Sequence, residues 1–236
     1  MRPASSTTDG SADERIAPIV ERFRQHYAET FARHGATSQG VDWGDPAKLP
    51  VRYAKMLEVI EPDCPRPLSL LDVGCGYGGL LTFARQHAVT LDYTGIDVVP
   101  EMIESARRTH PDAEFVSGDV LALSDERTFD YVVCNGILTL KLETSLRDMD
   151  RFARRLIRTM FSLARRGIAF NLMSTHVDYF GPNGYHKSPV EMLAFCAGEL
   201  SSRVRLDHSY APFEYTVYVY RPAETPTAGR RPERAV

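Results

Sequence analysis

Residues Leu70 to Leu81 read LLDVGCGYGGLL: an apolar run, one acid, then four glycines within six residues. A continuous apolar run of this length fits a strand buried on both faces of a parallel sheet. A glycine cluster directly after it marks a tight turn into a helix, where backbone amides can approach a ligand closely. Gly74, Gly76 and Gly79 satisfy the G-x-G-x-x-G spacing, so the loop points first to a phosphate- or nucleoside-bearing ligand.

Outward from this stretch the chain alternates regularly. PLSLLDV, YTGIDV, AEFVSGDV, FDYVVCN and IAFNLM read as strands, with helical patterns at GLLTFARQHA and PEMIESARRTH between them. A long amphipathic helix is expected from about Ser145 to Arg166, stopped by Gly167. PVEMLAFCAGELS gives one more helix. RVRLDHS and YTVYVYR close the chain as two strands joined at Ala211-Pro212, so one antiparallel strand belongs near the C-terminus. The expected fold is α/β: a doubly wound, mostly parallel, seven-stranded sheet. Before it, Ile16, Val20, Phe23, Tyr27 and Phe31 fall at helical spacing, and a second helix carries Tyr53, Met56, Leu57 and Ile60. The expected division is a disordered tail over 1–14, a helical extension or lid over 15–62, one main domain over 63–222, and a second disordered tail over 223–236.

Composition narrows the function classes. With 236 residues, 43% hydrophobic and 25% charged, the chain suits one α/β domain with a full core. A net charge of -3 gives no basic footprint for nucleic acid. The pairs Arg154-Arg155 and Arg165-Arg166 read as solvated charges on the long helix. Cys64, Cys75, Cys134 and Cys196 form no C-x-x-C pair and no zinc spacing with histidine, so no metal is expected. The absence of a secretory or membrane-spanning run points to a cytoplasmic protein with no membrane partner. The sequence leaves the oligomeric state open.

Two acids separate the cofactor classes. Asp72 stands two residues before the first glycine, where a dinucleotide fingerprint keeps an apolar residue. A carboxylate there suits a cofactor bearing an ammonium or sulfonium and disfavours a pyrophosphate. Asp97, ending the second strand, can accept hydrogen bonds from ribose hydroxyls, which either class requires.

The run LLDVGCGYGG, GIDVVPEMI, GDV, FDYVVCNG resembles the class I S-adenosylmethionine-dependent methyltransferases, well from Leu70 to Met173 and in outline over the last two strands. The resemblance implies the Rossmann-like methyltransferase fold and S-adenosyl-L-methionine as cofactor. It implies that Gly74, Cys75 and Gly76 line the cofactor and that Asp97, with Val98 beside it, holds the ribose. Met102 would pack near the adenine, and Asp119 would take its amino group beside Val120. Asn135 would face the methionine moiety or the substrate. Arg52 would pair the cofactor carboxylate; a solvated helix charge is the alternative. Asp119 capping a turn and Asn135-Gly136 serving as turn chemistry are further alternatives. The fourth strand ends CNGI and not N-P-P-Y, which counts against methylation of nucleic-acid amino groups. Asp119 with Asp130 makes no metal site of the catechol type.

The acceptor side is expected from STHVDYFGPNGYHKSP, a long aromatic loop after the fifth strand. His176, Tyr179 and His186 are the candidate catalytic residues, and Tyr185 would help to shape the pocket; hydrogen bonding to loop backbone is the bland alternative for both histidines. Trp43 and Tyr53 could close the cleft, and Lys141 could attract an anionic acceptor. The expected activity is methylation of a small-molecule metabolite, on a hydroxyl or carboxylate oxygen. The alternatives are N-methylation of an amine or guanidine held by Asp178 or Glu214, and a cofactor-binding module without turnover.

Overall fold

The computed structural model describes residues 10–62, 64, 67–124 and 127–222. Thirteen-atom helical rings and sheet ladders account for the elements in the order α1 (Gly10–His34), α2 (Leu49–Leu57), β1 (Leu68–Val73), α3 (Gly79–Gln86), β2 (Leu91–Asp97), α4 (Pro100–Thr109), β3 (Glu114–Ser117) and β4 (Phe129–Cys134). Then follow α5 (Leu146–Leu163), β5 (Ala164–Ser174), β6 (His186–Lys187), α6 (Pro189–Glu199), β7 (Val204–Ala211) and β8 (Glu214–Tyr220). The first helix starts at Gly10, inside the stretch expected as an N-terminal tail; the expected C-terminal tail lies outside the described residues.

Seven strands lie in the order β3-β2-β1-β4-β5-β8-β7. Strands β1 to β5 pair parallel, and β8 runs antiparallel between β5 and β7. The chain steps outward from β1 in one direction to β2 and β3, and in the other to β4 and β5. The carboxyl ends of β1 and β4 therefore flank the crevice where doubly wound sheets bind ligands. The two-residue β6, an eighth strand not expected from sequence, pairs with the end of β5.

Alternation along the strands feeds a core on each face. Val132, Ile168, Phe170 and Leu172 meet α1, α5 and α6, while Tyr131, Val133 and Ala169 meet α2, α3 and α4. Met149, Phe152, Leu156, Ile157 and Met160 of α5 are all buried, and each such side chain stabilises by about 1.5–3 kcal/mol. The Ser145 hydroxyl caps α5 by accepting from the Asp148 amide at 3.1 Å. The N-terminal extension is part of both cores: Ile16, Ile19 and Phe23 of α1 join one, and Met56 of α2 the other.

The end of α5 differs from expectation. The helix stops at Leu163, and Ala164 has φ -94° and ψ 128° and pairs with Phe129. Alanine and arginine are good helix formers, but the ladder to β4 outweighs that local preference. Arg165 and Arg166 are therefore not helix charges; they lie on β5 and reach Asp130 at 3.2 and 3.5 Å. Gly167 does not stop a helix. A Cβ there would stand 3.0 Å from the Tyr220 ring and from the Val219 carbonyl, so glycine lets β8 approach.

Among the described residues no helix is long and apolar enough to cross a membrane, and no group of three metal-ligating side chains gathers. The four cysteines are all buried and free.

Candidate functional site

At the end of β1 the chain turns through Gly74, whose φ of +72° is one that other residues rarely adopt. The amides of Gly74 and Cys75 both donate to the Ile96 carbonyl, at 2.8 and 3.2 Å, which ties the loop to β2. Asp97 completes the tie. Its Oδ2 accepts from the Gly76 amide at 2.8 Å and its Oδ1 from the Val99 amide at 2.9 Å. Each oxygen retains a lone pair for a further donor. Burial pushes the Asp97 carboxyl above its usual range, while these backbone bonds pull the other way.

A cleft opens above this loop, and the sequence-named residues Gly74, Gly76, Asp97, Val98, Met102, Asp119, Val120 and Asn135 line it. Asp119 does cap the turn after β3, accepting from the Leu121 amide at 2.9 Å, and it lines the cleft as well. Burial raises its pKa. The Asn135 Oδ1 is buried without a hydrogen-bond partner, an acceptor awaiting a donor. A neighbouring recess holds Asp72, Cys75, Tyr53 and Tyr77. Asp72 is 2% exposed and accepts from the Tyr93 hydroxyl at 2.6 Å. Desolvation drives its pKa up to about 7, so its charge is poised to be drawn out by a cation. This donor and acceptor set fits an adenosyl amino acid: free carboxylate lone pairs at Asp97, an orphan carbonyl at Asn135, and a buried acid at Asp72.

The outer wall comes from the N-terminal extension. Val20, Phe23 and Tyr27 of α1 line the cleft, together with Val41 and Trp43. Asp42, at φ +61°, takes the His26 ring nitrogen at 3.0 Å and thereby sets the turn that presents Trp43. Among these, the sequence singles out Trp43 alone as a cleft residue; Tyr27 is legible there only as a helix-face aromatic.

Arg52 lines neither the cleft nor its recess. It is 4% exposed, its Nε donates to the Glu214 carboxylate at 2.8 and 3.1 Å, and its Cζ lies 3.8 Å from the Trp43 ring centroid. Glu214 also accepts from Asn171 Nδ2 at 2.7 Å and from the Tyr210 hydroxyl at 3.2 Å. The Asn171 Oδ1 in turn accepts from the Gly136 amide at 2.8 Å. Glu214 is thus the counter-ion of Arg52 and is not available to a cationic acceptor. The network joins α2, β5, β8 and the turn after β4. Its one sequence signal was a polar Asn171 in an otherwise apolar strand.

A second cavity of about 670 Å³ adjoins the first, and Tyr27, Val41 and Trp43 line both. His176, Tyr179 and His186 all line it. His176 and Tyr179 are exposed, Tyr179 by 74%. Tyr185 is instead buried outside the cavity and donates to Asp150 at 2.7 Å. Lys141 turns its amino group to the Leu142 carbonyl at 3.2 Å. His186 is the better-fixed imidazole. Its Nδ1 stands 2.8 Å from the Ser174 carbonyl, which can only accept, so Nδ1 carries hydrogen and the neutral ring keeps its lone pair on Nε2.

Comparison with known proteins agrees with this geometry. Residues 70–160 match the family model described as a methyltransferase domain. A Mycobacterium tuberculosis protein named as a methyltransferase, Rv1506c, is 30% identical over 158 residues, covering 65% of this chain and 93% of its own. The Escherichia coli trans-aconitate 2-methyltransferase is 36% identical over 67 residues, 28% of this chain and 27% of that one. Among solved structures, the DhpI-SAH complex superposes with a TM-score of 0.58 at 20% identity, covering 87% of this chain and 98% of DhpI.

Proposed function

From the premise that this chain belongs to the class I S-adenosylmethionine-dependent methyltransferases and takes S-adenosylmethionine as cofactor, we propose that it methylates a hydroxyl oxygen of a small-molecule metabolite seated in the second cavity. The observation that carries this is the pair of adjoining cavities, the second lined by His186, whose Nδ1 is held on the Ser174 carbonyl.

When bound, the cofactor supplies a methyl group already activated on a sulfonium, so the protein's own work is alignment and proton handling. Asp97 would hold the ribose hydroxyls with its free lone pairs. Met102, Asp119 and Val120 would enclose the adenine. Asp72 would face the cationic amino-acid end, with Gly74, Cys75, Gly76, Val98 and Asn135 lining the path between. The segment 15–62 acts as the lid, and Trp43 divides cofactor from acceptor. Such positioning is worth about 7–11 kcal/mol in favourable cases. His186 takes the hydroxyl proton as the new bond forms, a role that typically adds about 10²- to 10⁴-fold. His176 and Tyr179 flank the acceptor at the cavity mouth.

A second reading, N-methylation of an amine, draws on Asp178, an acid that lines the same cavity. Incubation of purified protein with S-adenosylmethionine and a metabolite extract, read by mass spectrometry, separates the two. Gain of one methyl group on a hydroxyl oxygen supports the proposal, and gain on nitrogen or no gain overturns it.

A further inference from the structure

We infer that the acceptor is an uncharged aromatic hydroxyl compound and that the cavity turns carboxylate-bearing acceptors away. This rests on the reading that a hydroxyl oxygen is methylated, and it narrows that reading to one substrate class.

The first support is the charge census. The carboxyl-bearing side chains lining the second cavity are those of Asp42 and Asp178; among the described residues lining it there is neither lysine nor arginine. Nearby cations have other partners: Lys141 donates to the Leu142 carbonyl, Lys48 lies 3.7 Å from Asp45 with its amino group 5.6 Å from the Phe213 ring centroid, and Arg52 is held by Glu214. Asp42 is bridged by His26 at 3.0 Å, while Asp178 has no ion-pair partner among the described residues. An acceptor carboxylate would enter beside like charge with no cation to receive it, which is how sites exclude a ligand.

The second support is the wall. Tyr27, Trp43, Tyr179 and Phe213 present aromatic surface to the cavity, and Met173 and Leu140 add apolar surface. Flat rings stack favourably on such surfaces.

The third is the proton. A phenolic hydroxyl has a pKa of about 10, whereas that of water, the parent of aliphatic hydroxyls, is about 15.7. A neutral imidazole can take either proton in concert with methyl transfer, and the transfer from the phenol is the less uphill of the two. In the step, the ring oxygen forms the new bond to the methyl carbon, the carbon–sulfur bond breaks with its electron pair left on sulfur, and the phenolic proton passes to His186 Nε2.

The test uses matched neutral and anionic probes on the full chain: para-hydroxybenzamide against para-hydroxybenzoate, and a naphthol carboxamide against the corresponding naphthol acid, with trans-aconitate as a polycarboxylate. Product ethers are identified by fragmentation, and calorimetry confirms S-adenosylmethionine binding. Expected is a kcat/KM ratio of amide to acid of roughly tenfold or more. Asp178→Lys should shrink that ratio by a similar factor while both products remain ethers. Equal or better use of the acids with ether products, or a ratio unmoved by Asp178→Lys, overturns the charge assignment and leaves hydroxyl methylation standing; ester formation overturns both. A panel silent throughout, in protein that binds the cofactor, overturns the aromatic assignment, and a hydroxyl methylated in the metabolite extract then leaves hydroxyl methylation standing.

Discussion

Replacing Glu214 with alanine should be among the most damaging single changes in the molecule. Its carboxylate is fully buried and receives Arg52, Asn171 and Tyr210, and the Arg52 side chain is only 5% exposed. Truncation leaves a guanidinium buried without a counter-ion, a defect that costs about 3–5 kcal/mol in comparable pairs. For a domain of this size each kcal/mol moves Tm by about 2–4 °C, so a fall of roughly 6–20 °C is expected. The double variant Arg52→Met, Glu214→Leu removes the stranded charge and still leaves Asn171 and Tyr210 without their acceptor. Each unsatisfied donor costs about 1–3 kcal/mol, so the double variant should recover part of the loss, about 2 kcal/mol, over Glu214→Ala. Urea denaturation followed by far-ultraviolet circular dichroism measures both. The reasoning is refuted if the single variant loses under about 1 kcal/mol, or if the double variant is no more stable than the single.

Further outcomes follow from the same geometry. Because the Asp72 carboxyl titrates at about 7, S-adenosylmethionine should bind more tightly as pH rises through that value and the group becomes anionic; in Asp72→Asn, calorimetry should show this pH dependence flattened. The sign for folding is opposite. A carboxyl raised from 3.8 to about 7 contributes stability that is full at low pH and is lost between those values, so without ligand Asp72→Asn should gain on the native protein in Tm from pH 5 to pH 8. His186→Gln should lower kcat by about 10²- to 10⁴-fold with little change in cofactor affinity by calorimetry; an unchanged kcat removes its role as base. Asp97→Asn should weaken cofactor binding by about tenfold or more, since a charged acceptor typically contributes about 1.5–3 kcal/mol; unaltered affinity would place the ribose elsewhere.

The parts of this site legible in the sequence were those whose chemistry is local. Gly74 directly follows β1, while Asp72 and Asp97 stand at the carboxyl ends of β1 and β2 and Asp119 just past β3, and all four line the cleft or its recess. What escaped was set by distant pairing. Arg52 and Glu214 lie 162 residues apart, and nothing local to either announces the other. Tyr27 occupies an ordinary apolar position of an amphipathic helix, yet it borders both cavities once α1 docks on α5. The end of α5 escaped for a similar reason, because Ala164 to Arg166 are acceptable in a helix and become strand only through β4. Sequence favours His176, just beyond the carboxyl end of the fifth strand, over His186; the Ser174 carbonyl that fixes the His186 ring comes from the end of another strand and is invisible locally.

The central claim, that methyl donor and acceptor meet across the wall shared by the two cavities, is tested most directly by a crystal structure with S-adenosylhomocysteine bound. It should show the ribose hydroxyls on Asp97, and the sulfur turned past Trp43 toward the cavity that holds His186. A sulfur directed away from that cavity, with Asp97 untouched by the ribose, would contradict it.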